Sequence, residues 1–151
     1  LPAPLVSVAR GGELTWHGPG QIVGYWIRKL EGRERDLHRH LRLIEEGLIK
    51  TLRSFELEAE RRPGATGVWI GERKLASIGV GVRNWVTMHG FALNHDVDGR
   101  VWQDFAPCGF RPEVMTDLTE LRGDTCPSRS ALLSELGRVF IERARHIESE
   151  R

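Results

Sequence analysis

The sequence has 151 residues, of which 40% are hydrophobic and 28% charged, and its formal net charge is +1. A chain of this size and composition suits one globular domain with a sizeable core. The near-zero charge argues against a general nucleic-acid binder, and no apolar run approaches the length of a membrane span. The first nine residues lack the basic start and the length of a secretory signal. We therefore expect a cytoplasmic protein without nucleic-acid or membrane partners.

The N-terminal part predicts two short strands separated by turns. Residues 5–9 predict a strand, and residues 22–27 predict a second one that is rich in β-branched and aromatic side chains. Between them lie Arg10-Gly11-Gly12 and His17-Gly18-Pro19-Gly20, two clusters that interrupt regular structure. Glycine clusters of this kind indicate that the backbone passes close to another group.

The middle of the chain predicts a long helix followed by a β-hairpin. Apolar residues recur at helical spacing over residues 37–55, with charged residues on the other faces. Residues 68–70 and 74–82 predict paired strands joined by Gly71-Glu72-Arg73. Residues 86–93 predict a further strand of the same sheet.

The C-terminal part predicts a second amphipathic helix, which begins near Pro127 and Ser128 and has apolar positions between Leu132 and Ile147. The polar residues 94–98 predict a turn rather than a paired-carboxylate site. This order of elements predicts an α+β fold, in which helices pack on a mixed or antiparallel sheet.

Cys108 is a candidate nucleophile. Together with Cys126 it forms neither the pattern of a disulfide framework nor that of a zinc site. Pro107 and Gly109 flank Cys108 and predict a loop, where reactive side chains are commonly presented. A thiol with an ordinary pKa of about 8.5 is only a few per cent ionised at neutral pH, so Cys108 needs a nearby cation or base. Cys126 is more simply interpreted as a structural residue.

Three residues are candidates for activating Cys108. Lys74 begins a strand of small apolar residues, and an ammonium about 4 Å from a thiolate would attract it by roughly 4 kcal/mol at an effective dielectric near 20. A lysine at a hairpin end is also commonly a solvated surface charge. His17 and His89 are the alternatives, because a Cys-His pair meets only in space and spacing cannot exclude it. The residues by themselves leave this choice open, and they predict neither a nucleotide site nor a metal site.

Four blocks, in this order, closely resemble the lipoyl(octanoyl) transferases of lipoate biosynthesis. The blocks are Arg10-Gly11-Gly12-Glu13-Leu14-Thr15-Trp16-His17-Gly18-Pro19-Gly20-Gln21, Lys74-Leu75-Ala76-Ser77-Ile78-Gly79, His89-Gly90-Phe91-Ala92-Leu93-Asn94 and Pro107-Cys108-Gly109. The resemblance extends over Val6 to Leu121, and the C-terminal helix matches only in general character. It implies the fold shared by the catalytic domains of biotin protein ligases and lipoate ligases.

The same resemblance implies transfer of an octanoyl group from octanoyl-acyl carrier protein to a lysine of a lipoyl domain. The implied acceptors are the lipoyl domains of 2-oxoacid dehydrogenases and the glycine cleavage H protein, and no cofactor, metal or ATP is implied. Cys108 matches the residue that becomes an acyl thioester, and Lys74 matches the lysine that lowers its pKa. Our own hypothesis is that Lys74 first stabilises the thiolate and later takes the proton from the incoming amine. The implied substrate-binding residues are Arg10, Gly11, Gly12, Glu13, Leu14, Thr15, Trp16, His17, Ser77, Ile78, Gly79, Gly90, Phe91 and Ala92.

Proteins of this family usually carry a substantial segment before the Arg-Gly-Gly block, whereas here the block begins at residue 10. We therefore expect a single catalytic domain over residues 1–151 that lacks the N-terminal segment of the family. Two alternatives stay open. One is an ATP-dependent lipoate or biotin ligase on the same fold, which would not need Cys108. The other is a non-catalytic protein that binds acyl carrier protein or lipoyl domains.

Overall fold

A computed structural model describes residue 4 and residues 6–8, 10–12, 14–103 and 111–149. Within these residues, five strands form an antiparallel sheet in the order β1-β5-β4-β3-β2. The strands are β1 Gln21–Tyr25, β2 Glu60–Arg62, β3 Ala65–Ile70, β4 Arg73–Arg83 and β5 Val86–Asn94. The helices are α1 Leu37–Arg53, α2 Leu118–Arg122 and α3 Arg129–Ser149, and short 3₁₀ turns occupy Gly32–Glu34, Gly99–Trp102, Pro112–Val114 and Gly123–Thr125.

Helix α1 begins where Asp36 caps it, because the Asp36 carboxylate accepts a hydrogen bond from the Arg39 N–H at 2.9 Å. Its apolar face, which includes the fully buried Ile44 and Leu48, packs on the sheet, and α3 packs beside it. Each such side chain contributes roughly 1.5–3 kcal/mol by its burial. The helix predicted over residues 37–55 is therefore confirmed, and so is the C-terminal helix.

One strand prediction needs correction, and one strand was not predicted. Residues 6–8 do not form a strand, while Leu5 and Ala9 lie outside the described residues. This segment instead reaches β4, where the Gly11 N–H donates to the Val80 carbonyl at 2.9 Å. An extended segment becomes a strand only through a ladder of such bonds, which alternating hydrophobicity alone does not ensure. The sequence analysis also missed β2, because its Glu-Arg-Arg residues carry the charge that suits a sheet edge and no apolar alternation.

His40 is a buried histidine of α1. Only 1% of its surface is exposed, and its ring stacks on the Trp26 ring at a centroid distance of 5.3 Å. Among the described residues, neither ring nitrogen of His40 has a hydrogen-bond partner. Burial, aided by the nearby Arg28 cation and opposed by Glu34, lowers the pKa of His40 from 6.5 to about 4. The ring is therefore neutral in the folded protein at physiological pH.

We expect acid to destabilise the protein through His40. His40 takes up a proton near pH 6.5 in the unfolded chain and only near pH 4 in the folded protein. The contribution of neutral His40 to the free energy of unfolding is therefore complete above about pH 6.5 and is lost as the pH falls from 6.5 to 4. His40→Phe keeps the aromatic stack without the ring nitrogens. Between about pH 7 and about pH 4.5, the unfolding free energy should therefore fall by about 2 kcal/mol less in His40→Phe than in the wild type. Urea denaturation at both pH values measures this effect, with the exposed His38→Phe as control. The same pH dependence in wild type and His40→Phe would contradict it.

Candidate active site

An apolar cavity of about 510 Å³ opens between the N-terminal segment and the face of the sheet that β1, β4 and β5 form. Its walls include Val6 and Val8 of the N-terminal segment and Val23 and Tyr25 of β1. The volume falls in the range of small-molecule sites. The predicted substrate-binding residues fall at positions 10–17, 77–79 and 90–92, and residues of all three ranges line the cavity. Its lining includes Arg10, Gly12, Leu14, Thr15, Trp16, His17, Ser77, Ile78, Gly79, Gly90, Phe91 and Ala92.

The N-terminal segment lies directly against β4. The Gly11 N–H is hydrogen-bonded to the Val80 carbonyl, as described above. Glu13 lies outside the described residues. A Cβ atom at Gly79 would stand 3.0 Å from Arg10 Cδ and 3.2 Å from the Gly11 carbonyl oxygen. A larger residue at position 79 would therefore push the segment away from the sheet and change the cavity wall.

Described residues from before and after positions 104–110 meet beside the cavity. Cys108 lies outside the described residues, as do all of residues 104–110. Trp102 precedes this gap and Met115 follows it, and the two belong to one buried apolar cluster. Trp16 of the cavity wall packs edge-to-face on Trp102 at a centroid distance of 5.6 Å. Trp102 and Met115 therefore pack together at this side of the cavity.

Lys74 is buried, with only 3% of its surface exposed, so it is not the solvated hairpin charge that the sequence left open. Its backbone forms a parallel bridge with Met115, and its carbonyl accepts from the Thr116 N–H at 3.1 Å. Lys74 Nζ stands 5.6 Å from the centroid of the Trp69 ring. The lysine is thus held against the chain that follows the Cys108 loop.

Gly67 of β3 accommodates the Lys74 side chain. Its φ of 137° is a conformation that residues with a side chain rarely adopt, and a Cβ there would stand 2.7 Å from Lys74 Cε and 2.5 Å from the Ala76 carbonyl oxygen. The Gly67 N–H donates to Oε1 of Glu45, a buried carboxylate of α1, at 3.0 Å. Helix α1 and β3 together therefore shape the space that the lysine occupies.

A row of polar groups leads from the cavity wall to the backbone beside Lys74. His17 Nδ1 lies 3.2 Å from Gln21 Oε1. Gln21 Nε2 donates to Asn94 Oδ1 at 2.9 Å. Asn94 Nδ2 donates to the Thr116 carbonyl at 2.9 Å. We call His17, Gln21, Asn94 and Thr116 the polar relay.

The sequence analysis missed the roles of Gln21 and Asn94. It included Gln21 only within a motif, and it assigned Asn94 to a turn, whereas Asn94 ends β5 and is 1% exposed. The sequence did contain a signal, because Gln21 directly precedes one predicted strand and Asn94 directly follows another. Only the antiparallel register, which pairs Gln21 with Asn94, shows that the two amides meet.

Within the described ranges, no three histidine, cysteine or acidic side chains converge on a common point that would hold a metal ion. In the same part of the chain, no helix is long and apolar enough to cross a bilayer. Cys126 is half-buried, and its Sγ lies 3.8 Å from Thr119 Oγ1. These contacts fit the structural role that the sequence suggested for it.

The model of the lipoyl protein ligase A/B catalytic domain matches residues 2–134. The chain belongs to this family. The octanoyltransferase of Geobacter metallireducens is 48% identical over 134 residues, which are 89% of this chain and 63% of that protein. The octanoyltransferase of Flavobacterium johnsoniae is 43% identical over 147 residues, 91% of this chain and 63% of that protein. The predicted resemblance to octanoyltransferases is confirmed, and the chain spans less than two thirds of the length of these relatives.

Solved structures of the family's fold are also similar. A lipoate-protein ligase A bound with ATP superimposes with a TM-score of 0.76 at 18% identity, over 90% of this chain and 57% of that one. The biotin protein ligase of Aquifex aeolicus superimposes with a TM-score of 0.65 at 14% identity, over 86% of this chain and 55% of that one. These likenesses confirm the α+β fold that the sequence predicted.

Proposed function

We propose that the protein transfers an octanoyl group from acyl carrier protein to a lysine of lipoyl domains, through a thioester on Cys108, in lipoate biosynthesis. The observation that carries the proposal is Lys74, a buried cation held against the chain that follows the Cys108 loop. The similarity to octanoyltransferases supports it. A buried ammonium beside an apolar cavity suits the activation of a thiol that must attack an acyl thioester.

In the proposed reaction, the Cys108 thiolate attacks the thioester carbon, and acyl carrier protein leaves as a thiol that takes a proton from Lys74. The neutral amine of the acceptor lysine then attacks the Cys108 thioester, gives a proton to Lys74, and releases the cysteine as a thiolate. The cavity holds the acyl chain, and each buried methylene contributes roughly 0.8 kcal/mol to its binding. We propose the substrate-binding residues predicted from the sequence, Glu13 included, as the residues that bind the acyl group. No ATP, metal or other cofactor is required, because the incoming thioester is already activated.

We assign the partners by the same reasoning. The donor is octanoyl-acyl carrier protein, and the acceptors are the lipoyl domains of 2-oxoacid dehydrogenases and the glycine cleavage H protein. The chain is proposed to act as a single catalytic domain in the cytoplasm. Neither nucleic acid nor a membrane takes part in the proposed reaction.

Mass spectrometry of the protein after incubation with octanoyl-acyl carrier protein tests this function. We expect one octanoyl adduct that alkali removes, and we expect Cys108→Ala to prevent it because no other group is proposed as the acyl carrier. Cys126→Ala is the matched control and should leave the adduct unchanged. An adduct that survives in Cys108→Ala would overturn the assignment of the nucleophile.

The ligase alternative has one structural observation in its favour, the similar fold of a lipoate-protein ligase solved with ATP. A ligase would activate free octanoate or lipoate as an acyl-adenylate and would act without Cys108. Product formation that requires ATP and survives Cys108→Ala would identify it. Binding of acyl carrier protein or a lipoyl domain without any acyl transfer would identify the non-catalytic alternative.

A further inference from the structure

A β-bulge decides which face of the sheet carries Lys74. Val68 of β3 pairs with Ala76 of β4, and the next residue of β3, Trp69, pairs with Lys74. Leu75 is therefore the extra residue of the bulge. Side chains alternate between the two faces of a strand, so in a regular β4 Lys74 would share the face of Ala76. The extra residue moves Lys74 to the opposite face.

The two faces of β4 have different surroundings. Ala76 belongs to the apolar core, whereas Ser77 and Gly79 line the cavity. Residues paired across antiparallel strands share a face, and Lys74 Nζ stands over the ring of its partner Trp69. Lys74 therefore lies on the cavity face of the sheet. The bulge thus directs the lysine away from the core and toward the side on which the proposed reaction occurs.

Glu45 of α1 supports β3 opposite the bulge. It is 7% exposed, and its Oε1 accepts the Gly67 N–H at 3.0 Å. Gly67 directly precedes Val68, where the register shifts, and a buried N–H at such an irregularity needs a partner outside the ladder. The same glycine borders the lysine, because a Cβ at Gly67 would stand 2.7 Å from Lys74 Cε and 3.5 Å from Nζ. Gly67 therefore joins the Glu45 carboxylate to the side chain of Lys74.

We propose that Glu45 is a positioning residue, whose acceptor oxygen holds Gly67 and the β-bulge so that Lys74 lies on the cavity face. The consequence for Cys108 rests on the proposed function, in which the position of Lys74 sets the reactivity of the thiol. The contribution of Glu45 is its hydrogen bond and not its charge, because a negative charge near the site would oppose ionisation of the thiol.

Brief acetylation of the lysines, followed by peptide mass spectrometry, tests the geometry without any acyl transfer. Lys29 and Lys50 have exposed side chains and serve as internal references, whereas the buried Lys74 should react slowly in the wild type. Glu45→Gln retains an acceptor oxygen and should retain this protection. In Glu45→Met the reaction of Lys74 should be about 10-fold faster or more, because the Gly67 N–H loses its buried partner. Equal protection of Lys74 in Glu45→Met and wild type would overturn the proposal.

Glu45→Asp separates the reach of the side chain from its charge. Aspartate keeps the carboxylate but is one methylene shorter, so we expect Lys74 to react as fast as in Glu45→Met. Protection equal to that of the wild type would show that the charge suffices, and would overturn the proposal. Glu45→Asp also decides the question if urea denaturation shows that Glu45→Met does not fold.

Ile44→Val is the control for a general loosening of α1. Ile44 is fully buried next to Glu45, and the substitution removes one methylene from the core while Glu45 is kept. The protection of Lys74 should remain within about 3-fold of the wild type, because a change of this size is tolerated by most cores. Equal exposure of Lys74 in Ile44→Val and Glu45→Met would show a loss of packing instead of a loss of positioning.

The pH dependence of Cys108 alkylation, measured in a Cys126→Ala background, extends the test to the thiol. Glu45→Gln should match the wild type, whereas Glu45→Met should raise the pKa of Cys108 by about 1, which is an about tenfold loss of thiolate at neutral pH. When Lys74→Met is also present, Glu45→Met should cause no further change, because Glu45 acts through the lysine. A further increase in the pKa of Cys108 in that background would contradict this role.

The two levels of the hypothesis fail differently. If Lys74→Met leaves the pKa of Cys108 unchanged, the proposed role of Lys74 is wrong, and the acetylation experiment still decides whether Glu45 positions the lysine. If Lys74→Met raises this pKa and Glu45→Met does not, the proposed function stands and only the role of Glu45 is wrong.

Discussion

Lys74→Met should slow the acylation of Cys108 by about 10- to 100-fold at neutral pH, if Lys74 stabilises the thiolate as proposed. Each tenfold change corresponds to about 1.4 kcal/mol, which is within the attraction expected of a nearby cation in a partly buried site. Methionine keeps the apolar stem that packs in the buried position and removes only the charge. The folded structure should therefore persist, because methionine fills most of the space of the lysine stem.

The pH dependence of thiol alkylation measures this effect directly. The Lys74 cation favours the ionised thiol, so Lys74→Met should raise the pKa of Cys108 and lower the rate of alkylation at neutral pH. The alkylation rates of wild type and Lys74→Met should converge above about pH 8.5, where both thiols are ionised. Lys74→Arg keeps the positive charge and should fall between the two. Lys29→Met removes a charge from an exposed position and serves as the control. Superimposable curves for wild type and Lys74→Met would refute the role of Lys74.

Gly67→Ala should be among the most damaging single substitutions in the sheet. The new Cβ would stand 2.5 Å from the Ala76 carbonyl oxygen and 2.7 Å from Lys74 Cε, and the φ of 137° adds backbone strain. Strain of this kind costs about 1–3 kcal/mol, and overpacking costs about 1–3 kcal/mol more. We expect a loss of roughly 3 kcal/mol or more in unfolding free energy, together with slower acylation because Lys74 is displaced. Urea denaturation and the alkylation assay measure the two effects.

Gly64→Ala is the matched control for this substitution. Gly64 lies just before β3 and its φ of 75° is also positive. Among the described residues, no atom would lie within 4 Å of a Cβ at this position. Gly64→Ala should cost about 1 kcal/mol, because a φ of 75° is near the left-handed region and is less strained for alanine than the φ of 137° at Gly67, and it should leave the reactivity of Cys108 unchanged. Equal losses of stability in the two variants would show that the contacts of Gly67 with Lys74 and Ala76 are unimportant.

Thr116 connects two buried features of the candidate site. It donates its N–H to the Lys74 carbonyl and accepts from Asn94 Nδ2 through its own carbonyl. A shift of this backbone would therefore displace Lys74 and the hydrogen-bonded pair of Gln21 and Asn94 together.

Much of the fold follows from local patterns in the sequence. The apolar spacing over residues 37–55 predicted α1, since only a helix places those side chains on one face. The turn Gly71-Glu72-Arg73 between apolar runs predicted the β3–β4 hairpin, in which Arg73 proves to be the first residue of β4. Residues 6–8 misled the same reasoning, because a strand also needs a partner whose position no local pattern contains.

By itself, then, the sequence determined the α+β fold, the family resemblance, and Cys108 and Lys74 as the pair to test. Only the tertiary structure decided that Lys74 is buried, that Gly67 makes room for it, and that Gln21 and Asn94, 73 residues apart, are hydrogen-bonded. The physical reason is the range of the interactions. Helix and hairpin signals act between neighbours along the chain, whereas the burial of a charge and the direction of a hydrogen bond depend on strand register and on packing between distant segments.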